Sequence, residues 1–185
     1  WDPRTLPHEA PFREDGFSLP IEFSRVSLDG RVTLVIDESA ALLRTLWVPL
    51  SVSTLEEAVT ELGKREKVEP ARRAEWIGRH QKGSPRKTAV SKAAPLADAA
   101  SSLFDGLDDW LAARGLDAVV WTALPARGPE GRLGDAGVAA LLAHLTSLRG
   151  EARDRAEEYI RRTPLGIRTK RREVFERELG WVPLV

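Results

Sequence analysis

The chain has 185 residues and contains no cysteine, no methionine, three histidines and one tyrosine. Without cysteine there is no disulfide framework, no thiolate zinc site and no cysteine nucleophile. His8, His80 and His144 are too few to suggest a His-built metal site. No apolar run approaches the ~20 residues that a membrane span needs. No signal peptide is legible either, so the expectation is a cytoplasmic protein. Net charge is absent as well: 28 Lys and Arg balance 28 Asp and Glu. That balance argues against a strongly polyanion-seeking protein and against a disordered acidic tail. What is present is 42% hydrophobic residues, enough for a real core. The length suits one domain, since domains usually run to roughly 100–200 residues.

Residues 1–18 are Pro-rich and dotted with aromatics, and read as an ordered loop or arm. Leu19–Val26 predicts a strand with Ile21, Phe23 and Arg25 on one face and Glu22, Ser24 and Val26 on the other. Asp29-Gly30 supplies a hairpin turn into a second strand, Arg31–Ile36. Arg44–Leu50 is the third candidate, ended or placed at an edge by Pro49. Ser53-Thr54-Leu55-Glu56 fits a capping box, and Thr54 to Glu57 fits one residue later. Leu55, Ala58, Val59 and Leu62 then form one apolar helical stripe. Residues 79–95 are basic, contain no acid and are broken by Gly83, Ser84, Pro85 and Pro95, so they predict an irregular, flexible loop.

Leu96–Arg114 predicts a long helix capped by Gly115, and Ala118–Thr122 a buried strand. Asp135–Leu148 is a third helix, Glu151–Arg162 a fourth that Pro164 ends, and Thr169–Leu179 a last one closed by Gly180. Early strands and later helices predict an α+β fold. The expected organisation is a single domain over 1–185, with residues 151–185 as a helical extension.

Glu66 stands out. It lies four residues beyond Leu62 on the same helical face, near the helix C-terminus. The helix dipole and partial burial both disfavour an anion there. A carboxyl group held that way suits general acid/base chemistry near neutral pH. The alternative is a solvated Glu66, or one paired with Lys64, Arg65 or Lys67. Arg25 and Ser27, on or after the first strand, are candidate cavity-lining residues, with a surface hairpin as the alternative. Trp121 is a candidate pocket wall, with core packing as the alternative. His144, on a helix flank, reads as structural or solvated. Arg168, Lys170, Arg171 and Arg172 form a basic cluster. Its surroundings alternate in sign, as in Glu157/Glu158 to Arg161/Arg162, and no aromatics interleave it, which argues against nucleic acid binding.

Leu62-Gly63-Lys64-Arg65-Glu66-Lys67-Val68 resembles the L-x-x-R-E-x-V pattern at the catalytic glutamate of the γ-glutamylcyclotransferase-like superfamily, particularly its ChaC branch. Trp1-Asp2-Pro3-Arg4 is similar to the residues that follow the superfamily's glycine loop, and Phe23–Val35 to its strand-turn-strand. The C-terminal half looks like a bacterial subgroup of such proteins. Where the ChaC branch has a Tyr-containing stretch after the glutamate, this chain reads Glu69-Pro70-Ala71-Arg72-Arg73. The resemblance implies a small, mostly antiparallel, barrel-like sheet with helices around it. It implies a glycine loop ahead of Trp1, without which the chain would be inactive. It also implies a small-molecule γ-glutamyl-type substrate that cyclises to 5-oxoproline. Glu66 would be the acid/base, and no metal or redox cofactor would be needed. A second reading is a non-catalytic scaffold of the same type that binds a small anion or a protein partner.

Overall fold

The computed structural model describes residues 6–8, 11–84, 102–131 and 136–184. They belong to two compact units. Ser18–Thr45 and Pro125–Val185 make the first; Asp2–Phe17 and Leu46–Leu124 make the second.

In the first unit, β1 (Ser18–Val26) is the central strand of an antiparallel sheet of order β2-β1-β3. β2 is Val32–Ile36 and β3 is Leu42–Arg44. The β1–β2 turn is built by its own side chains. Ser27 Oγ donates to Asp29 Oδ1 and to the Arg31 carbonyl, Arg31 Nε donates to Asp29 Oδ2, and Gly30 takes φ +85°. Burial pushes the Asp29 carboxyl up, but the Arg31 and Ser27 hydrogen bonds outweigh it and bring its pKa down to about 2.

The alternation expected along β1 is broken by a bulge: Phe23 pairs with Leu34, but Arg25 pairs with Thr33. Ser24 is the extra residue. The bulge moves Val26 into the same core cluster as Phe23, which strict period-two alternation forbids. That corrects the expected faces, and it leaves Arg25 pointing away from this core.

The core is closed by three helices: α4 (Gly137–Ser147), α5 (Gly150–Arg161) and α6 (Lys170–Leu179). Leu141, Leu145, Ala156, Ile160, Phe175 and Trp181 are all buried against Phe23, Val26 and Val32. Tyr159 and Phe175 meet the Phe23 ring edge-on, with centroids 6.3 and 6.0 Å away. Thr169 caps α6 by accepting from Arg172 N, and Gly180 ends it at φ +70°. The expected Arg161–Glu157 and Arg162–Glu158 pairs form, at 2.8 and 3.0 Å.

The second unit holds α1 (Leu55–Arg65), a 3₁₀ turn (Pro70–Arg72), α2 (Arg73–Trp76), β4 (Ile77–Gln81), α3 (Leu107–Ala112) and β5 (Ala118–Thr122). β4 and β5 pair antiparallel, with Gly78 opposite Trp121. α1 packs on both strands. Val59, Leu62, Val68 and Ile77 form the small core between them.

Several expectations are corrected. Arg44–Leu50 is no strand: Trp47 and Leu50 make only isolated bridges to Arg13 and His8, and the third strand is Leu42–Arg44. The irregular loop expected from residue 79 begins as strand β4, with residues 85–95 outside the described residues. Of the helix Leu96–Arg114, residues 96–101 lie outside the described residues. The rest is interrupted at Gly106, whose φ of +80° no helix continues through. Strand β5 forms as expected but is half-buried. The α+β class stands, as two separate small antiparallel sheets with helices. Among the described residues neither sheet closes into a barrel.

Candidate functional site

Glu66 is positioned by the way α1 ends. The helix begins at Thr54, whose Oγ1 accepts from Glu57 N at 3.1 Å, while Glu57 Oε2 accepts from Ser53 N at 2.9 Å. Its buried face is Ala58, Val59, Leu62 and Gly63. Glu66 is the C-cap. Lys67 N donates to Lys64 O and Val68 N to Gly63 O, at 3.1 and 2.8 Å, which is a Schellman arrangement. Lys67 occupies the left-handed position at φ +54°, where glycine is usual. Val68 then tucks into the core beside Leu62. Val68, rather than Glu66, therefore completes the apolar face.

The Glu66 side chain is 25% exposed, and its Oε1 lies 3.3 Å from Arg65 Nη1. It is neither sealed in the core nor loose in solvent. The backbone on both sides of it is fixed by capping bonds, so the carboxylate is held in place and still reachable. The Lys67 backbone is the strained element of this cap. Lys67→Gly is expected to stabilise the protein by about 0.5–1 kcal/mol, the left-handed penalty less glycine's extra chain entropy. A higher urea midpoint at unchanged m-value is the readout.

The other candidates fall in different places. Trp121 is in β5, in the same unit as Glu66. Its indole lies over Gly78 and packs against the Phe104 ring, with centroids 4.7 Å apart and the planes tilted by 35°, which is packing. Ser27 belongs to the other unit, and its hydroxyl is used within the hairpin turn. Arg25, in that same unit, is 9% exposed and donates from Nη1 to the Pro125 carbonyl at 2.8 Å. His144 Nε2 lies 2.7 Å from Gly30 O and ties α4 to the turn, as a structural histidine does.

The tail cluster is not an open basic face. Arg172 is buried, and Arg171 reaches Ser24 Oγ at 3.0 Å and Phe23 O at 3.3 Å. Ser24 Oγ also donates to Asp37 Oδ2. Burial pushes the Asp37 carboxyl up, but the Ser24 and Ser39 hydrogen bonds outweigh it, leaving its pKa below the usual carboxylate value.

Two features escaped the sequence reading. His80, on β4, is buried, with Nε2 2.8 Å from Asp108 Oδ1 at the start of α3. If Nε2 carries the proton and donates it to Asp108, Nδ1 is left as a buried acceptor without a hydrogen-bond partner. The second is Arg127, which bridges to Arg25. Neither pairing has a local signal, since each joins residues from distant parts of the chain. Among the described residues no three His, Asp or Glu side chains gather closely enough to hold a metal ion. No helix among them is long and apolar enough to cross a membrane. No protein-family model, curated protein or solved structure matches this chain.

Proposed function

We propose that this protein is a γ-glutamylcyclotransferase-like enzyme that releases an amine from a γ-glutamyl compound as 5-oxoproline forms, with Glu66 as general acid/base. The observation that carries the reading is the Glu66 carboxylate itself. It is held by a capped helix end on the β4–β5 sheet and remains accessible to a small molecule. The same reading takes the fold as cyclotransferase-type and the protein as cytoplasmic.

In the reaction the substrate's α-amine attacks its own γ-carbonyl. The new C–N bond closes the five-membered ring, and the old C–N bond to the leaving amine breaks. Because the attack is intramolecular, holding the substrate in a folded conformation supplies much of the rate. Glu66 takes a proton from the α-ammonium so that the free amine can attack; the attacking nitrogen gives up a second proton as the ring closes, and the departing nitrogen takes up both and leaves as an ammonium, so one carboxylate can serve both halves. Arg65, 3.3 Å away, fixes the orientation of that carboxylate.

The Arg65–Glu66 pair also favours a second reading, a non-catalytic scaffold of the same type that binds a small anion or a protein partner, because a structural ion pair holds a carboxylate in the same way. The test is to incubate the complete gene product with γ-glutamyl amines and peptides and to follow 5-oxoproline. Its appearance with stoichiometric free amine is the expected result. Its absence across γ-glutamyl substrates would leave the scaffold reading.

A further inference from the structure

The first unit contains an arginine pair that its own fold does not use up. Arg127 N donates to Ser24 O at 2.9 Å, and Val26 N donates to Arg127 O at 2.7 Å. These two bonds bracket Arg25 in a parallel bridge with Arg127. Residues paired in this way project their side chains to the same face. The Ser24 bulge sends Phe23 and Val26 into the core and leaves Arg25 on the opposite side, with Arg127 beside it. Arg127 in turn lies over Gly131: a Cβ there would come within 3.0 Å of Nη2, so the bare glycine leaves room for the guanidinium.

We propose that Arg25 and Arg127 together form a binding site for a small oxyanion, a carboxylate or a phosphate. The contrast with Arg172 carries the argument. Arg172 is also buried, and its donors meet Glu176, Thr163 O, Pro164 O and Ile167 O. Among the described residues Arg25 has one side-chain acceptor, Pro125 O, and no carboxylate pairs with it or with Arg127. A buried cation beside a second, half-buried one, with no anion between them, is an arrangement that folding alone does not favour. Burial, and then the charge of Arg127, hold the Arg25 pKa below the ordinary arginine value, and an arriving anion relieves the second effect directly. The planar forks of two guanidinia match the oxygens of a carboxylate or phosphate. The site lies within the first unit and does not depend on the role of Glu66.

The probes are inorganic phosphate and glutarate, titrated by calorimetry and by thermal denaturation against NaCl at matched ionic strength. The expected result is saturable binding and a rise in Tm beyond the NaCl control for at least one of them, the tighter naming the preferred group. Arg127→Gln is expected to weaken that binding by at least about tenfold, since a charge-assisted hydrogen bond is lost. Arg127→Lys, which keeps the charge and loses the fork, is expected to weaken it by less. Arg155→Gln, an exposed arginine on α5, is expected to leave it unchanged. No saturable effect over NaCl would overturn the site, as would equal affinity in wild type and both folded Arg127 variants.

Discussion

Arg172→Leu is expected to destabilise the protein by about 3–5 kcal/mol, the range for removing one partner of a buried ion pair. Arg172 is 2% exposed, yet its donors meet acceptors throughout. Nε donates to Glu176 Oε1 at 2.9 Å, Nη1 to Pro164 O and Ile167 O at 2.8 Å each, and Nη2 to Thr163 O at 2.8 Å. The three carbonyls belong to the α5–α6 connection, so one guanidinium organises the loop that lets α6 pack Phe175 onto the core. Burial lowers the Arg172 pKa, and Glu176 opposes that shift. Leucine fills part of the volume but leaves Glu176 with only the more distant Arg168, at 4.0 Å, and leaves buried carbonyls without donors. Arg172→Lys restores the charge but not the fork, and an intermediate loss is expected. Urea unfolding reads both variants. A loss below about 1 kcal/mol for Arg172→Leu would mean that the loop finds other donors.

Gly78→Ala is the second large effect. An added Cβ would lie 2.1 Å from Trp121 Cε2, 2.3 Å from Nε1 and 2.6 Å from Cζ2. The obstacle is the body of a rigid ring that is itself packed against Phe104, so a small rotamer adjustment does not relieve it. Overpacking costs typically 1–3 kcal/mol. About 3 kcal/mol is expected here, because the alternative is to separate β4 from β5. The cause is checked by a double-mutant cycle with Trp121→Val, which removes the ring. Gly78→Ala should cost little in that background, giving a coupling of about 2 kcal/mol. Equal costs in both backgrounds would show that the indole is not what reserves this position for glycine.

These two sites also explain which parts of the structure were legible in the sequence. α1, α4, α5 and α6 were legible because their signals are local: Thr54 and Thr169 as caps, Gly180 as a stop, and an apolar stripe in between. β4 was missed because Ile77-Gly78-Arg79-His80-Gln81 carries little apolar alternation. What makes it a strand is Trp121, a cross-strand partner far along the chain that fills the space over Gly78. Arg171 and Arg172 read as a solvated cluster for the same reason. Their acceptors, Ser24 and the carbonyls from Thr163 to Ile167, are set by tertiary structure. The Ser24 bulge had no composition signal, so the faces of β1 were misassigned beyond it. At Glu66 the position was legible and the surroundings were not. The spacing placed it at the end of α1, but the left-handed Lys67 and the inward turn of Val68 depend on the C-terminal cap.

The most direct measurement on the central claim compares Glu66→Gln with wild type, both as the complete gene product, for 5-oxoproline formation and, separately, for ligand binding. Glutamine keeps the size of the side chain and an oxygen that can face Arg65, and loses the negative charge and the proton chemistry. The expected result is a kcat lowered by about 100-fold or more, the usual share of a general acid/base, with binding of a γ-glutamyl compound retained. Turnover at the wild-type rate in Glu66→Gln would contradict the account.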